Sequence, residues 1–399
     1  MLSSIISSSL PVSALLTSLL FSKDASAEIL QSVSRAETAF NTLQTFYNSS
    51  NGIWNTCGWW NGANCMTVIA DLAVLDVSVR ATAIDVFNNT YTVAPGVNPN
   101  PGVEKVSGAS GVPETTYTSL WPLAPLTDLF AKPGTVNASL WLDGYYDDDA
   151  WWSLAWIAAY DVTGNEDYLR LAEGIFDGMT KGWPTNCSNG GIWWDSTKTY
   201  VNAIANELFL SVAAHLANRA ENSQYYINWA KKEWAWFAAS GMINENNTIN
   251  DGLTTDCKNN GATVWSYNQG VILGGLVELN KASPDPSYLP AATKIADAAI
   301  SALTDSNHIL HDPCEPNCEP DATQFKGIFM RNLQLLQEAA PSDTYVQVIQ
   351  ASANSIWNND RDKSTNVLGV DWAGPFVEPA DASTHSSAMD ALVAAIVAN

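Results

Sequence analysis

Basic residues are scarce in this chain. Its 399 residues carry 18 Lys and Arg against 41 Asp and Glu, a net charge of −23. Such a surface repels phosphate backbones and anionic headgroups, which excludes nucleic acid and membrane surfaces as partners. Charge of either sign is sparse, at 15% of residues, so a neutral polymer suits the chain better than an ionic one. Histidine is scarcer still. His215, His308, His311 and His385 fit neither a catalytic triad nor a metal-ligand spacing, and no CxxC pair stands with histidines at zinc spacing. No metal and no cofactor are expected. Long apolar runs are missing too: Leu10 to Phe21 is too brief to span a bilayer. The stretch from Ser383 to Asn399 resembles a capped amphipathic helix and lacks the spacer of a lipid-attachment tail, so the mature chain is expected to carry no membrane anchor.

What the chain does have points outside the cell. The apolar run is followed by Ala25-Ser26-Ala27, a small-residue cleavage pattern, so residues 1–27 are expected to be a signal peptide and residues 28–399 one catalytic domain. Asn-x-Ser/Thr sequons at Asn48, Asn88, Asn137, Asn186 and Asn246 agree with a secreted, extracellular or cell-wall location. Six cysteines agree as well. Cys57 with Cys65 and Cys314 with Cys318 would close short loops, leaving Cys187 with Cys257, although the sequence alone leaves all connectivities open. Tryptophan is abundant, with 17 residues. Most are expected in the core, and some on flat sugar-stacking platforms.

Apolar periodicity predicts a first helix over Ile29–Tyr47 and another over about Met66–Phe87. Between them the loop from Trp54 to Cys65 gathers Trp59, Trp60, Asn61 and Asn64. From Thr90 to Lys132 the chain turns to Pro, Gly, Ser and Thr and reads as a surface excursion. Beyond Asp148 a repeat emerges: an apolar helix, a short polar turn, a tyrosine and a second helix, with Tyr168, Tyr226, Tyr288 and Tyr345 spaced at about 60 residues. Asp148, Asn206, Asn268 and Phe325 hold matching places near the start of each first helix. The first helices are small and apolar, as in Val271-Ile272-Leu273-Gly274-Gly275-Leu276, while the second carry the charges, as in Lys231-Lys232-Glu233. This favours an all-α (α/α)6 toroid of about eleven helices over an open solenoid. In a closed ring the starts of the inner helices converge, which would bring Asp147, Asp148, Asn206, Asn268 and Gln269 to one cleft.

The stretch Asp147-Asp148-Asp149-Ala150-Trp151-Trp152 places three acids against tryptophans. Helix capping accounts for such acids as readily as catalysis does, because Asp at a first turn meets orphan N–H groups and the positive dipole end. A cleft with adjacent carboxylates, amides and aromatics also suits glycosidic cleavage, where one acid protonates the leaving oxygen and a second carboxylate attacks the sugar or activates water. An EF-hand calcium loop is disfavoured, since the acids do not alternate.

Five segments in order, Tyr145-Tyr146-Asp147-Asp148-Asp149-Ala150-Trp151-Trp152, Gly190-Gly191-Ile192-Trp193-Trp194-Asp195, Asn202-Ala203-Ile204-Ala205-Asn206-Glu207-Leu208-Phe209, Trp265-Ser266-Tyr267-Asn268-Gln269-Gly270 and Phe325-Lys326-Gly327-Ile328-Phe329, resemble glycoside hydrolase family 76. Its members include endo-α-1,6-mannanases and fungal cell-wall relatives. The resemblance implies an (α/α)6 toroid and a retaining mechanism, with Asp147 as nucleophile, Asp148 as acid/base, and Asp149 at a variable position dispensable to the chemistry. It implies that Trp60, Asn61 and Asn64 belong to an aromatic-amide loop near the mannose sites. Asp195, Asn206, Asn268 and Gln269 complete the expected substrate contacts. Lys326 is expected to partner a carboxylate. The expected activity is cleavage of internal α-1,6 linkages in α-mannan or mannooligosaccharides by a secreted monomer. The alternative is a transglycosidase acting on mannan or on glycan cores of lipid anchors.

Overall fold

A computed structural model describes residues 23–99, 105–107, 113–115 and 136–398. Residues 1–22 of the expected leader at residues 1–27, and most of the Thr90–Lys132 stretch, lie outside the described residues. Twelve α-helices are present among those described. Six form an inner ring: α2 (Trp59–Leu75), α4 (Tyr146–Thr163), α6 (Ala203–Ala217), α8 (Ser266–Ala282), α10 (Phe325–Ala339) and α12 (Ala382–Val397). Each packs on the next, and α12 packs back on α2, which closes the circle. The outer layer is α1 (Lys23–Gln44), α3 (Arg80–Val93), α5 (Glu166–Met179), α7 (Ser223–Ser240), α9 (Tyr288–Leu303) and α11 (Asp343–Asn359). The chain is therefore an (α/α)6 toroid, as its repeat indicates. The sixth pair is made by the two ends of the described chain, because α1 lies against α12.

The two layers differ in burial as a closed ring requires. Along α8 every residue from Ser266 to Leu279 is buried, whereas α5 buries Tyr168, Leu169, Leu171, Ala172, Ile175 and Phe176 on one face only. Close approach of the inner helices demands glycine: a Cβ at Gly270 would come within 2.5 Å of the Phe329 Cα, and one at Gly327 within 2.4 Å of the Ser387 carbonyl oxygen. The α1–α12 seam is latched by His385, whose Nε2 donates to the Ala39 carbonyl at 2.8 Å while Nδ1 accepts from Leu368 N–H at 3.0 Å.

Several sequence expectations shift. The helix anticipated over Met66–Phe87 is two helices, because Asp76 accepts bonds from Ser78 N–H and hydroxyl, and Arg80 Nε donates to the Ala73 carbonyl. The first of these begins at Trp59, so Trp59, Trp60, Asn61 and Asn64 stand on α2 instead of on a loop. The first helix spans Lys23–Gln44, and the expected cleavage pattern Ala25-Ser26-Ala27 falls within it. Two short hairpins pair β1 (Tyr47–Asn48) with β2 (Ile53–Trp54) and β3 (Lys105–Ser107) with β4 (Pro113–Thr115). Disulfides join Cys187 to Cys257 and Cys314 to Cys318. The third expected pairing is not formed: Cys57 and Cys65 are thiols, engaging the carbonyls of Trp54 and Ala382. No helix among the described residues is long and apolar enough to cross a membrane.

The core buries carboxyl groups that bear on stability. Burial pushes Asp360 up to about 8 and Asp312 up to about 7. Asp360 is 0% exposed, with neither carboxylate oxygen hydrogen-bonded, while Asp312 accepts bonds from Ser266 at the start of α8. A carboxyl raised on folding contributes stability that is complete below its unfolded value and lost as pH rises through the folded one. Burial of His385, pushed down to about 4, acts in the opposite sense between about pH 6.5 and 4. The acids outnumber it, so stability is expected to fall as pH is raised from 5 to 8, by up to about 1.4 kcal/mol per pH unit for each fully shifted acid, and melting temperature with it. Asp360→Asn should flatten that slope in a calorimetric series. A parent profile that is flat over this range, or one that Asp360→Asn leaves unchanged, contradicts the assignment.

Candidate active site

The N-terminal ends of the inner helices open on one mouth of the ring. Helix α4 supplies its acids. Tyr146 N–H donates to the Trp194 carbonyl at 2.9 Å, and Ser196 N–H to the Gly144 carbonyl at 2.8 Å, so the approach to α4 is pinned against residues 194–196. The first turn then presents Asp147 and Asp148 to a cleft whose wall includes Trp60, Trp151, Trp194, Tyr267, Asp321 and Phe325. Asp148 is 1% exposed and Asp147 half-buried. Trp194 Nε1 donates to Asp147 Oδ2 at 2.9 Å, which fixes the carboxylate's orientation. Asp149 turns elsewhere: its Oδ1 accepts the Asp143 N–H at 3.1 Å, and Asp143 in turn accepts from Tyr145 N–H. The triplet thus divides into a pair facing the cleft and one acid that shapes the loop.

The aromatic wall is rigid. Trp60 stacks on Trp151, with ring centres 5.7 Å apart and planes at 27°, and Tyr267 stacks on Phe325 at 3.7 Å and 12°. Trp60 Nε1 donates to Asp321 Oδ1 at 2.8 Å, which brings a third carboxylate into the cleft. Burial, then the charges of Asp251, Asp147, Glu207 and Asp321, hold the Tyr267 hydroxyl well above its ordinary pKa. It remains a proton-bearing donor in the cleft throughout the neutral range.

Of the expected contacts, Trp60, Asp147 and Asp148 are brought together, and six polar residues are not. Asn206 is fully buried; its amide accepts from Ile192 N–H at 2.8 Å and donates to the Ile192 and Asn202 carbonyls. Gln269 does the same for the next loop, accepting from Ile249 N–H and donating to the carbonyls of Ile249 and Trp265. Both expectations are corrected: these amides position cleft loops and do not line the cleft. Asp195 is consumed by the Thr197 N–H and the hydroxyls of Thr197 and Thr199. Asn61 caps α2 by accepting Gly58 N–H, and Asn64 is held between the Trp60 carbonyl and Arg331. Asn268 is 0% exposed inside the ring with neither amide atom hydrogen-bonded. None of these six side chains lines the cleft.

Asp321 was not anticipated. It opens a short 3-10 turn, Asp321–Gln324, that runs into α10, a place equivalent to that of Asp147 just inside α4. The acid at the entrance of α4 and the acid just before α10 were the available signal. Lys326 meets expectation by pairing with Glu315. Among the described residues, one group could hold a metal ion by distance alone: His311, Glu315 and Asp371 have ligand atoms within 4.8 Å of one another. Lys326 and His311 already occupy both oxygens of Glu315, so that cluster carries its own cations.

A closed (α/α)6 toroid with paired acids and an aromatic wall at one mouth is the class these features define. Residues 134–399 match glycosyl hydrolase family 76, and the chain belongs to that family. It is similar to the mannan endo-1,6-alpha-mannosidase DFG5 of Candida albicans, 29% identical over 247 residues that make up 57% of this chain and 55% of the relative. The corresponding figures for DCW1 of the same organism are 30% over 215 residues, 49% and 47%. The chain spans about half the length of the curated relatives it matches. Over nearly its whole length the fold matches the GH76A alpha-1,6-mannanase of Salegentibacter sp. HEL1_6, with TM-score 0.72, 18% identity, and coverage of 92% of this chain and 100% of that one. An inactive variant of that mannanase, with two consecutive aspartates replaced, is in complex with alpha-1,6-mannotriose (TM-score 0.71, 17% identity, 92% and 100% coverage). Dfg5 from Chaetomium thermophilum in complex with glucosamine has TM-score 0.71 and 20% identity, covering 92% of this chain and 90% of that one.

The loop anchors give a direct test. Asn206→Ala and Gln269→Ala each strand buried loop N–H and carbonyl groups, a loss of about 1–3 kcal/mol per unsatisfied group. Urea unfolding should show a lowered midpoint in both variants. Parent-like midpoints would mean that these amides do not fasten the loops.

Proposed function

We propose that this protein cleaves α-1,6-mannosidic linkages within mannan, with retention of configuration through a covalent glycosyl-enzyme. One observation carries the reading: Asp147 and Asp148 face the same aromatic-walled cleft from the first turn of an inner helix. Asp147 would attack the anomeric carbon, with the positive end of α4 stabilising its charge and Trp194 holding its orientation. Asp148 would donate its proton to the departing O6 and then take one from the water that releases the sugar. Trp60 offers a stacking face, and the Tyr267 hydroxyl and Asp321 carboxylate offer a donor and an acceptor for sugar hydroxyls. The relatives' activity on mannan and the mannotriose complex of an aspartate-substituted mannanase support this substrate class. In this reading residues 28–399 form one secreted, monomeric catalytic domain behind a leader at residues 1–27. Its location would be extracellular or in the cell wall.

A second reading is transfer of the glycosyl unit to a cell-wall or lipid-anchor glycan acceptor. Glucosamine bound to Dfg5, a relative in fold, favours it, and both readings share the covalent intermediate.

Proton NMR of linear α-1,6-mannan digests separates these. Early α-anomeric mannooligosaccharides are expected, with Asp147→Asn and Asp148→Asn slowed at least about a thousandfold. Elongated products on adding a mannoside acceptor would favour transfer. Intact mannan without any acceptor product, or activity surviving in Asp147→Asn, would defeat the assignment. Trp194→Phe should lower kcat about tenfold or more with a smaller effect on KM, since it frees the nucleophile's orientation without removing a sugar contact.

A further inference from the structure

The bore of the toroid has a second opening where the inner helices end. A cavity of about 290 Å3 lies there. Every inner helix contributes to its wall, with Asp71 from α2, Ile157 from α4, His215 from α6, Glu278 from α8, Arg331 from α10 and Asp390 from α12. Six helix C-termini therefore converge, and each brings the negative end of its dipole.

The cations in this wall are already committed. Arg219 is taken by Asp161 at 2.7 Å and Glu278 at 3.0 Å, and Lys281 by Glu278 at 2.8 Å. Arg331 is shared among Asp390 at 3.2 Å, the Asn64 amide oxygen and the Trp151 ring face at 5.6 Å. Burial lowers the His215 pKa and favours its neutral form, with Nδ1 on the Ser211 carbonyl. Glu338 accepts from Gln334. What remains is acidic. Asp390, 1% exposed, keeps an Oδ1 with no hydrogen-bond partner, and Asp71 has none among the described residues. Burial pushes their carboxyls up to about 7 and about 6 against the opposing charge of Arg331. The rest of the wall is apolar, including Val271, Leu335 and Val393. At the rim Val74 is 53% exposed, Leu75 41% and Val397 38%, three of the five large apolar side chains exposed among the described residues.

We propose that this rear mouth binds a small organic ammonium ion with an aliphatic body. Its N–H groups would donate to Asp390 Oδ1 and the Asp71 carboxylate, and its alkyl chain would cover the Val74, Leu75 and Val397 rim. The unpartnered acceptor, the dipole ends and the apolar rim each select one part of that ligand. The site is separate from the cleft but shares one residue with it: Trp151 lines both.

Isothermal titration of the full chain at pH 8 with pentylammonium chloride tests this, with 1-pentanol and matched sodium chloride as controls. One saturable site is expected, with pentanol binding at least tenfold more weakly. Asp390 anchors Arg331, so Asp71→Asn is the informative variant, and it should weaken binding at least tenfold. Val74→Trp, which fills the mouth from outside, should abolish it, while Asp147→Asn in the cleft should leave it unchanged. No saturable heat, equal binding of pentanol, or loss in Asp147→Asn but not in Asp71→Asn would overturn the proposal. Binding alone is read, so the result does not depend on what the cleft cleaves.

Discussion

Between α10 and α12 there is no room for a side chain at Gly327, and between α8 and α10 none at Gly270. This tightness lets six helices of 15 to 18 residues close on one another, with small side chains along α12 completing the circuit to α2. Closure in turn decides where chemistry can happen. An open array would spread the inner helix starts along a surface, whereas the ring brings Trp60, Asp147, Tyr267 and Phe325 to one mouth. The outer layer then holds the circle shut, with α1 and the His385 bond to Ala39 fastening the first described helix to the last.

The same geometry gives the two mouths opposite electrostatic character. At the cleft, helix N-termini favour the charge of a carboxylate such as Asp147, and the loops between helices are lashed down by buried amides such as Asn206 and Gln269. At the rear, helix C-termini meet acids whose cations are largely spent on one another. A single indole divides them: Trp151 stacks on Trp60 toward the cleft and lies over Arg331 toward the rear.

Much of this was legible in the sequence because it is periodic. Apolar first helices alternating with charged second ones gave the toroid, and the acids beside tryptophans gave the cleft's Asp147 and Asp148. Side-chain direction was not legible. Asn206, Asn268 and Gln269 sit in the right turns of the right helices, yet neighbouring positions on a helix point about 100° apart, so Tyr267 faces the cleft while Gln269 faces a loop. Asp195 and Asn61 were spent on local turns, a competition that short polar side chains often win. Asp321 is not legible in the repeat because it stands in the turn before Phe325, where the periodicity places the helix entrance. The break at Asp76 was hidden by apolar residues on both sides.

The proposed retaining mechanism requires Asp147 to be the nucleophile. Intact-protein mass spectrometry after incubation with a fluorinated α-mannosyl inactivator tests it most directly, followed by peptide mapping of the modified residue. One covalent glycosyl adduct per chain is predicted, on the peptide containing Asp147 and absent from Asp147→Asn. A stable adduct on Asp148 or Asp321, or full modification of the Asp147→Asn variant, would contradict it.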